Sequence, residues 1–184
     1  TGLINSTEGV LYAEIAALAT NSSGIKTISI EDGTISNQVC FFYSNVSNEF
    51  KALIRQSGNK FFVTTVLSNS TDYIKVALLY KSGGTKLYIN GSLISSNTAS
   101  FSFTNPLSIL KFGGAGLGNF FGKTKAVAVW KEALSDQELA DLTYPTPTFP
   151  TFTLDFNTIA EQFTFARGSE ATYVDAQGLI QSTN

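Results

Sequence analysis

Apolar and polar residues alternate along most of the first 131 positions, and turn-forming residues interrupt the alternation about every 8–12 positions. The pattern predicts strands at residues 9–18, 25–30, 38–43, 50–55, 61–67, 73–80, 107–112 and 124–131. The first of these segments is rich in alanine and leucine, so a helix is its alternative interpretation. No strand alternates with a long helix, which favours an antiparallel β-sandwich over a parallel sheet.

Two local signals are more specific than the alternation. Residues 86–94 (KLYINGSLI) predict a hairpin, because Asn90 and Gly91 suit the two positive-φ positions of a type I′ turn. After the strand at 124–131, Ser135 and Glu138 have the spacing of a capping box, which predicts the start of one short helix. Trp130, at the end of that strand, is predicted to pack in the core or between sheets.

The composition changes after residue 143. Three of the four prolines lie between residues 145 and 150, which predicts a stiff linker over 144–151. The tail, residues 152–184, has strand patterns at 152–156, 162–165 and 172–174. It is too short to bury a core of its own, so we expect it to dock on the sandwich, on a partner chain or on a following domain.

Residues 86–94, 107–114 and 120–142 resemble three sequence elements of concanavalin A-like and laminin-G-like domains. These are the lYvNG hairpin, the strand that follows it, and the closing strand with its capped helix, where Thr124 replaces the usual isoleucine. The resemblance covers residues 8–143. It implies an all-β, antiparallel two-sheet jelly-roll β-sandwich with one short C-terminal helix, in a domain spanning 1–143.

A second resemblance lies in the tail. Residues 163–180 (FTFARGSEATYVDAQGLI) resemble an element of bacteriophage tail-fibre and other virion proteins. This resemblance implies a virion appendage, with other virion proteins as partners and a homo-oligomer, such as a trimer, as the assembled form.

Composition limits the chemistry. The chain has 184 residues, 43% of them hydrophobic and only 14% charged, a net charge of −2 and no histidine. We therefore expect no nucleic-acid partner and no membrane span. The only cysteine, Cys40, lies in an apolar run and is predicted to be buried.

Catalysis is not expected. A Ser–His–Asp relay is impossible within a chain that lacks histidine. A glycosidase needs two carboxylates about 5–10 Å apart, and on this fold they usually come from one strand with alternating acids. No such strand occurs, so a glycoside hydrolase is the least favoured function.

Candidate binding residues are few. The resemblance to laminin-G and lectin domains implies a possible Ca²⁺ site built from loop oxygens, for which Asp32, Asp72 and Asn119 are isolated candidates. For a glycan, Tyr12, Tyr43, Tyr80 and Tyr88 could offer exposed rings, while most phenylalanines are assigned to the core. Asn119 closes a glycine-rich loop, residues 113–119, that allows close backbone approach.

The sequence thus predicts a non-catalytic, structural or receptor-facing module of a virion appendage that binds a surface polysaccharide or a virion protein. The alternative is a secreted bacterial lectin-like adhesion module. We predict no catalytic residues. The predicted ligand-binding residues are Tyr43, Tyr80, Tyr88 and Asn119. The candidate metal ligands are Asp32 and Asp72.

Overall fold

Two five-stranded antiparallel sheets, packed face to face, form the first part of the chain. The computed structural model describes residues 2–20 and 24–145, and beyond them only the backbone of three short strands at 165–167, 170–174 and 180–183. The chain divides into two units, residues 1–145 and 146–184.

The first sheet, which we call the helix-side sheet, has the order β10-β1-β6-β7-β8. Its strands are β1 (Glu8–Ala17), β6 (Ile74–Lys81), β7 (Thr85–Ile89), β8 (Ser92–Asn97) and β10 (Gly122–Trp130). The second, the loop-side sheet, has the order β5-β4-β3-β2-β9. Its strands are β2 (Lys26–Glu31), β3 (Asn37–Tyr43), β4 (Glu49–Gln56), β5 (Asn59–Val66) and β9 (Ile109–Lys111). A two-sheet antiparallel sandwich was predicted, and the structure confirms it.

The main core lies between the inner faces of the two sheets. Alternate residues of the strands other than β8 and β9 point into it, and its largest fully buried side chains include Phe41, Phe50 and Tyr80. Removing each such aromatic side chain from water contributes about 1.5–3 kcal/mol. Val127 and Val129 of β10 pack against this core. This inner layer holds the sheets together and leaves each sheet one outer face.

A helix, α1 (Asp136–Thr143), covers the outer face of the helix-side sheet. Its capping box is present: the Ser135 hydroxyl accepts from the Glu138 amide at 3.3 Å, and the Glu138 carboxylate accepts from the Ser135 amide at 2.8 Å. Leu139 is fully buried, and Trp130 packs edge-on against Tyr12 with the ring centroids 6.0 Å apart. Trp130 therefore lies between sheet and helix rather than between the two sheets.

Most predicted elements are confirmed with small shifts in their bounds. The helical alternative for β1 is wrong, because this strand pairs along its length with β10 and β6. Asn90 (φ 50°) and Gly91 (φ 81°) have the positive φ angles predicted for the hairpin turn. The strand predicted at 107–112 is shorter, since the Leu107 amide donates to the Ser6 hydroxyl instead of to a neighbouring strand.

The second unit contains a three-stranded antiparallel sheet of β11 (Phe165–Arg167), β12 (Glu170–Val174) and β13 (Ile180–Thr183). The first two overlap the predicted strands at 162–165 and 172–174, and the third was not predicted. The predicted strand at 152–156 and most of the predicted linker lie outside the described residues. Among the residues that the structure describes, no helix has the length and hydropathy to cross a membrane.

Candidate functional site

The three tyrosines predicted as ligand contacts are buried, and the expectation that their rings face solvent is wrong. Tyr43, Tyr80 and Tyr88 are 3%, 0% and 5% exposed. Tyr43 and Tyr80 point into the core, where their hydroxyls donate to the Ile15 and Asn5 carbonyls at 3.2 and 2.8 Å. Burial raises the pKa of both hydroxyls. Their polar ends are thus satisfied internally, as structural tyrosines require.

Tyr88, like Tyr12, points to the outer face of the helix-side sheet. That face would be exposed if the chain ended at β10, but α1 and the segment before it cover it. Burial, and the negative charge of Asp136, raise the pKa of Tyr88. Tyr88 therefore lies on the outer side of its strand, as expected, but α1 covers it and removes it from solvent.

The two metal candidates lie in different turns. The carboxylate of Asp32 accepts hydrogen bonds from the Thr34 amide and hydroxyl and from the side-chain amides of Asn37 and Asn105, at 2.7–3.1 Å. Burial raises its pKa, but these hydrogen bonds lower it by more, so the pKa lies well below its usual value. The Asp32 oxygens thus face donors rather than a vacant ligand position.

Asp72 is exposed in the turn before β6, where its amide donates to the Asn69 carbonyl. In the described part of the chain, no group of three or more His, Cys, Asp or Glu side chains could hold a metal ion. Neither aspartate is therefore placed in a set of protein ligands.

The glycine-rich loop, residues 113–119, joins β9 to β10 and lies across the outer face of the loop-side sheet. The buried Glu31 carboxylate accepts from the Ala115 amide at 2.8 Å, and Ser29 donates to the Gly113 carbonyl at 2.6 Å. Gly118 passes so close to β2 that a Cβ there would lie 2.1 Å from the Ile25 carbonyl oxygen. Glycine is needed at this contact, and the loop is a structural cover.

Leu117 of this loop packs against the outward side chains Cys40, Phe42 and Leu53. Burial raises the pKa of the Cys40 thiol to about 12, so this cysteine is an inert, buried side chain as predicted. Asn119, at the end of the loop, is exposed and forms a bridge to Thr27 at the edge of β2. The loop thus closes the outer face over β2 and β3 only.

The outer face over β4 and β5 stays open. Phe62 stands directly opposite Leu53, and its ring is 51% exposed. Lys51 and Arg55 flank Leu53 on β4, and the Lys51 ammonium lies 5.9 Å from the centre of the Phe62 ring. Thr64 lies opposite Lys51 and adds a hydroxyl. Leu53 itself is buried, and we call Lys51, Arg55, Phe62 and Thr64 around it the open face.

The two cations of the open face have different partners. Lys51 pairs with Glu49 at 2.7 Å, and the hydrogen bonds from Lys51 and Ser44 lower the pKa of Glu49. Arg55 donates through Nε to the side-chain oxygen of Asn59 at 3.3 Å, with no carboxylate partner among the described residues. The open face therefore combines an exposed ring with hydrogen-bond donors on both sides.

Other exposed aromatic rings are less suited to a flat ligand. Lys125 lies 4.1 Å over the Tyr73 ring and pairs with Glu14, so that face of the ring is occupied. The rings of Phe112 and Phe120 pack edge-on, 6.1 Å apart. Phe121 and Tyr144 are 65% and 64% exposed, but they lie outside the strands.

A cleft of about 710 Å³ opens between the edge strands β9 and β10. The cleft is lined by the N-terminal segment and by Leu107, Leu110, Val127 and Val129. Among its lining residues, only Ser6 and Ser108 have polar side chains. The open face has two cations and a hydroxyl beside an exposed ring, more polar side chains than the cleft offers, and we take it as the candidate site.

Sequence reasoning missed Phe62 because it assigned phenylalanines in strand runs to the core. Residues 61 and 62 are both phenylalanine, and alternation alone requires one to point inward and the other outward. The pairing of Phe61 with the core residue Ile54 decides which. The sequence therefore predicts that one of the two rings points outward, but it does not show which one.

Comparison with solved structures shows the same fold in proteins of low sequence identity. The carbohydrate-binding module CBM40 of the Ruminococcus gnavus IT-sialidase, bound to α2,3 sialyllactose, has a TM-score of 0.60 and 19% identity, covering 76% of this chain and 84% of that one. Domain 4 of the Geobacillus stearothermophilus arabinanase AbnA, in complex with arabinotriose, has a TM-score of 0.51 and 14% identity, covering 77% and 69%.

The SAP-like pentraxin of Limulus polyphemus is also similar, with a TM-score of 0.55 and 15% identity over 75% of this chain and 70% of the pentraxin. The search of curated proteins found no match. Residues 14–140, more than half of the chain, match the sequence model of a family described as the concanavalin A-like lectin/glucanases superfamily. The chain belongs to this family, and the predicted concanavalin A-like jelly roll is confirmed.

Proposed function

We propose that this domain binds carbohydrate at the open face and performs no reaction. The observation that carries the proposal is the exposed Phe62 ring, flanked by Lys51 and Arg55 on the adjacent strand. The apolar face of a sugar ring stacks on an aromatic side chain, and its hydroxyls accept hydrogen bonds from charged donors beside the ring. About half of Phe62 is exposed on the outer side of β5, so part of its ring is available to a ligand.

The fold supports this proposal. Two of the similar structures are a carbohydrate-binding module and an arabinanase domain, each solved with an oligosaccharide. The expectation of polysaccharide as a partner came from a family resemblance, and the open face now provides residues that can recognise it. Asn119 belongs to a different region, at the other edge of the loop-side sheet.

The placement of the acids supports a role without catalysis. Glu14 pairs with Lys125, Glu49 pairs with Lys51, and Glu31 is buried under the glycine-rich loop. Glycoside hydrolysis needs two carboxylates that converge on one bond. The open face itself includes no carboxylate beyond Glu49, which lies at its end and is held by Lys51 and Ser44.

The test is binding of the full chain to a glycan array that includes sialyllactose and arabinotriose, followed by titration calorimetry with the best ligand. We expect Phe62→Ala to weaken binding at least about tenfold, because truncating an aromatic anchor at a binding site costs about 2 kcal/mol or more. Phe62→Tyr should keep the affinity. Leu93→Ala, which trims an exposed apolar side chain on β8 of the helix-side sheet, is the matched control and should bind as the wild type does.

We further propose that the domain works as a receptor-facing module of a phage virion appendage, with virion proteins and surface polysaccharide as partners. The resemblance of residues 163–180 to virion proteins supports this setting, and β11 and β12 fall within that segment. A homo-oligomer, such as a trimer, follows from it. A secreted bacterial lectin-like module is the alternative.

Size-exclusion chromatography with light scattering separates these two settings. A virion module should form a trimer as the full chain, and residues 1–145 alone should be monomeric if the tail carries the assembly. A full-length monomer that binds glycans would instead favour the secreted lectin-like module.

A further inference from the structure

Of the two cations beside Phe62, one is paired with a carboxylate and the other is not. Lys51 has Glu49 at 2.7 Å, so its charge is compensated within the protein. Among the described residues, Arg55 donates a hydrogen bond only to the neutral side chain of Asn59, through Nε. Both terminal nitrogens of its guanidinium group therefore lack a protein acceptor among the residues that the structure describes.

Backbone geometry places Arg55 beside the ring. Leu53 pairs with Phe62, and Arg55 is the next outward residue on β4, so Arg55 and Phe62 are diagonal neighbours about 7–8 Å apart. A β-bulge lies between them: Arg55 pairs with Asn59, and Lys60 is the extra residue of β5. Bulges turn side chains out of the regular pleat and are frequent next to binding sites.

The local charge is opposite in sign to that of the whole chain. The chain carries a net charge of −2. The strands β4 and β5, by contrast, contain three cations, Lys51, Arg55 and Lys60, and one carboxylate, Glu49. An anionic ligand is thus attracted to this face and repelled by much of the remaining surface.

We propose that the open face selects carbohydrates that carry a carboxylate, and that Arg55 is the residue that binds it. The planar guanidinium group matches a carboxylate through two parallel hydrogen bonds, a geometry that lysine cannot provide. A sugar ring stacked on Phe62 presents its carboxylate substituent to the terminal nitrogens of Arg55. This inference rests on the proposed function and adds to it the class of ligand.

The test uses matched pairs of glycans on one array: sialylated oligosaccharides and oligogalacturonates, each beside its methyl ester. The ester keeps the sugar and removes the negative charge. We expect the wild-type chain to bind each recognised acid about tenfold more tightly than its ester. Arg55→Gln should bring the ratio close to one, while Arg55→Lys should keep only part of it.

Two further variants separate the contributions. Lys75→Gln, which removes a cation from β6 of the helix-side sheet, is the charge control and should leave the ratio of acid to ester unchanged. Phe62→Ala should weaken acid and ester to the same extent and keep the ratio. Thermal unfolding of each variant checks the fold. Arg55 is partly exposed and forms no ion pair with the described residues, so its variants should unfold near the wild-type temperature.

Wild-type binding to esters as tight as to acids, or an unchanged ratio in Arg55→Gln, would overturn the inference and leave carbohydrate binding intact. If neither member of any pair binds while a neutral glycan such as arabinotriose does, only the inference fails; if no glycan on the array binds, the proposed function fails with it.

Discussion

The outer faces of the two sheets differ in how completely the chain covers them. Helix α1 covers the helix-side sheet with an apolar layer that includes Leu139, Tyr12 and Trp130. The glycine-rich loop covers the loop-side sheet over β2 and β3 and leaves Phe62 exposed on β5. Aromatic side chains thus stabilise the fold on one sheet and are available to a ligand on the other. In this domain, an aromatic ring is structural where a helix or loop covers it and available to a ligand where nothing in the first unit covers it.

The largest expected effect is on the covered face. Leu139→Ala removes a fully buried side chain between α1 and the helix-side sheet, and should lower the free energy of unfolding by about 2–5 kcal/mol. Urea unfolding of the purified domain measures this loss. Leu142→Ala, on the same helix but only partly buried, is the matched control and should cost less. Equal costs would show that α1 does not seal that face through Leu139.

A smaller loss is expected where the loop meets the loop-side sheet. Glu31→Gln keeps the size of the buried side chain and removes the charge of the carboxylate, which accepts from the Ala115 amide through Oε2 and from Lys111 through Oε1. We expect a loss of about 1–3 kcal/mol, with faster hydrogen exchange at the Ala115 amide. Unchanged exchange there would mean that Glu31 does not hold the loop down.

The sequence predicts the sandwich well because its signals are local. Alternation identifies each strand of the first unit, and Asn90-Gly91 and Ser135 with Glu138 identify the hairpin and the helix start. The site was not predictable in the same way. Whether Tyr88 is buried depends on α1, which follows it by nearly fifty residues, and the choice between Phe61 and Phe62 depends on the register with β4.

Acid should weaken the turn between β2 and β3. Asp32 has a folded-state pKa below its ordinary value of 3.8, so its stabilising contribution is present above that value and is lost as the pH falls through the folded-state pKa. We expect Asp32→Asn to be slightly less stable than the wild type at pH 7, with the difference shrinking below about pH 4. Thermal unfolding of both proteins from pH 7 to pH 2 measures this. A difference that grows in acid would contradict the hydrogen bonds described for this carboxylate.

The central claim is that the open face binds a ligand and does not support the fold. The most direct measurement compares Phe62→Ala with the wild type in both respects, by urea unfolding and by calorimetric titration with a glycan chosen from the array. The account predicts a loss of no more than about 1.5 kcal/mol in the free energy of unfolding, because about half of Phe62 is already exposed, and an affinity reduced at least about tenfold. A variant that loses more than about 2 kcal/mol of stability, or one that binds the glycan as the wild type does, would contradict it.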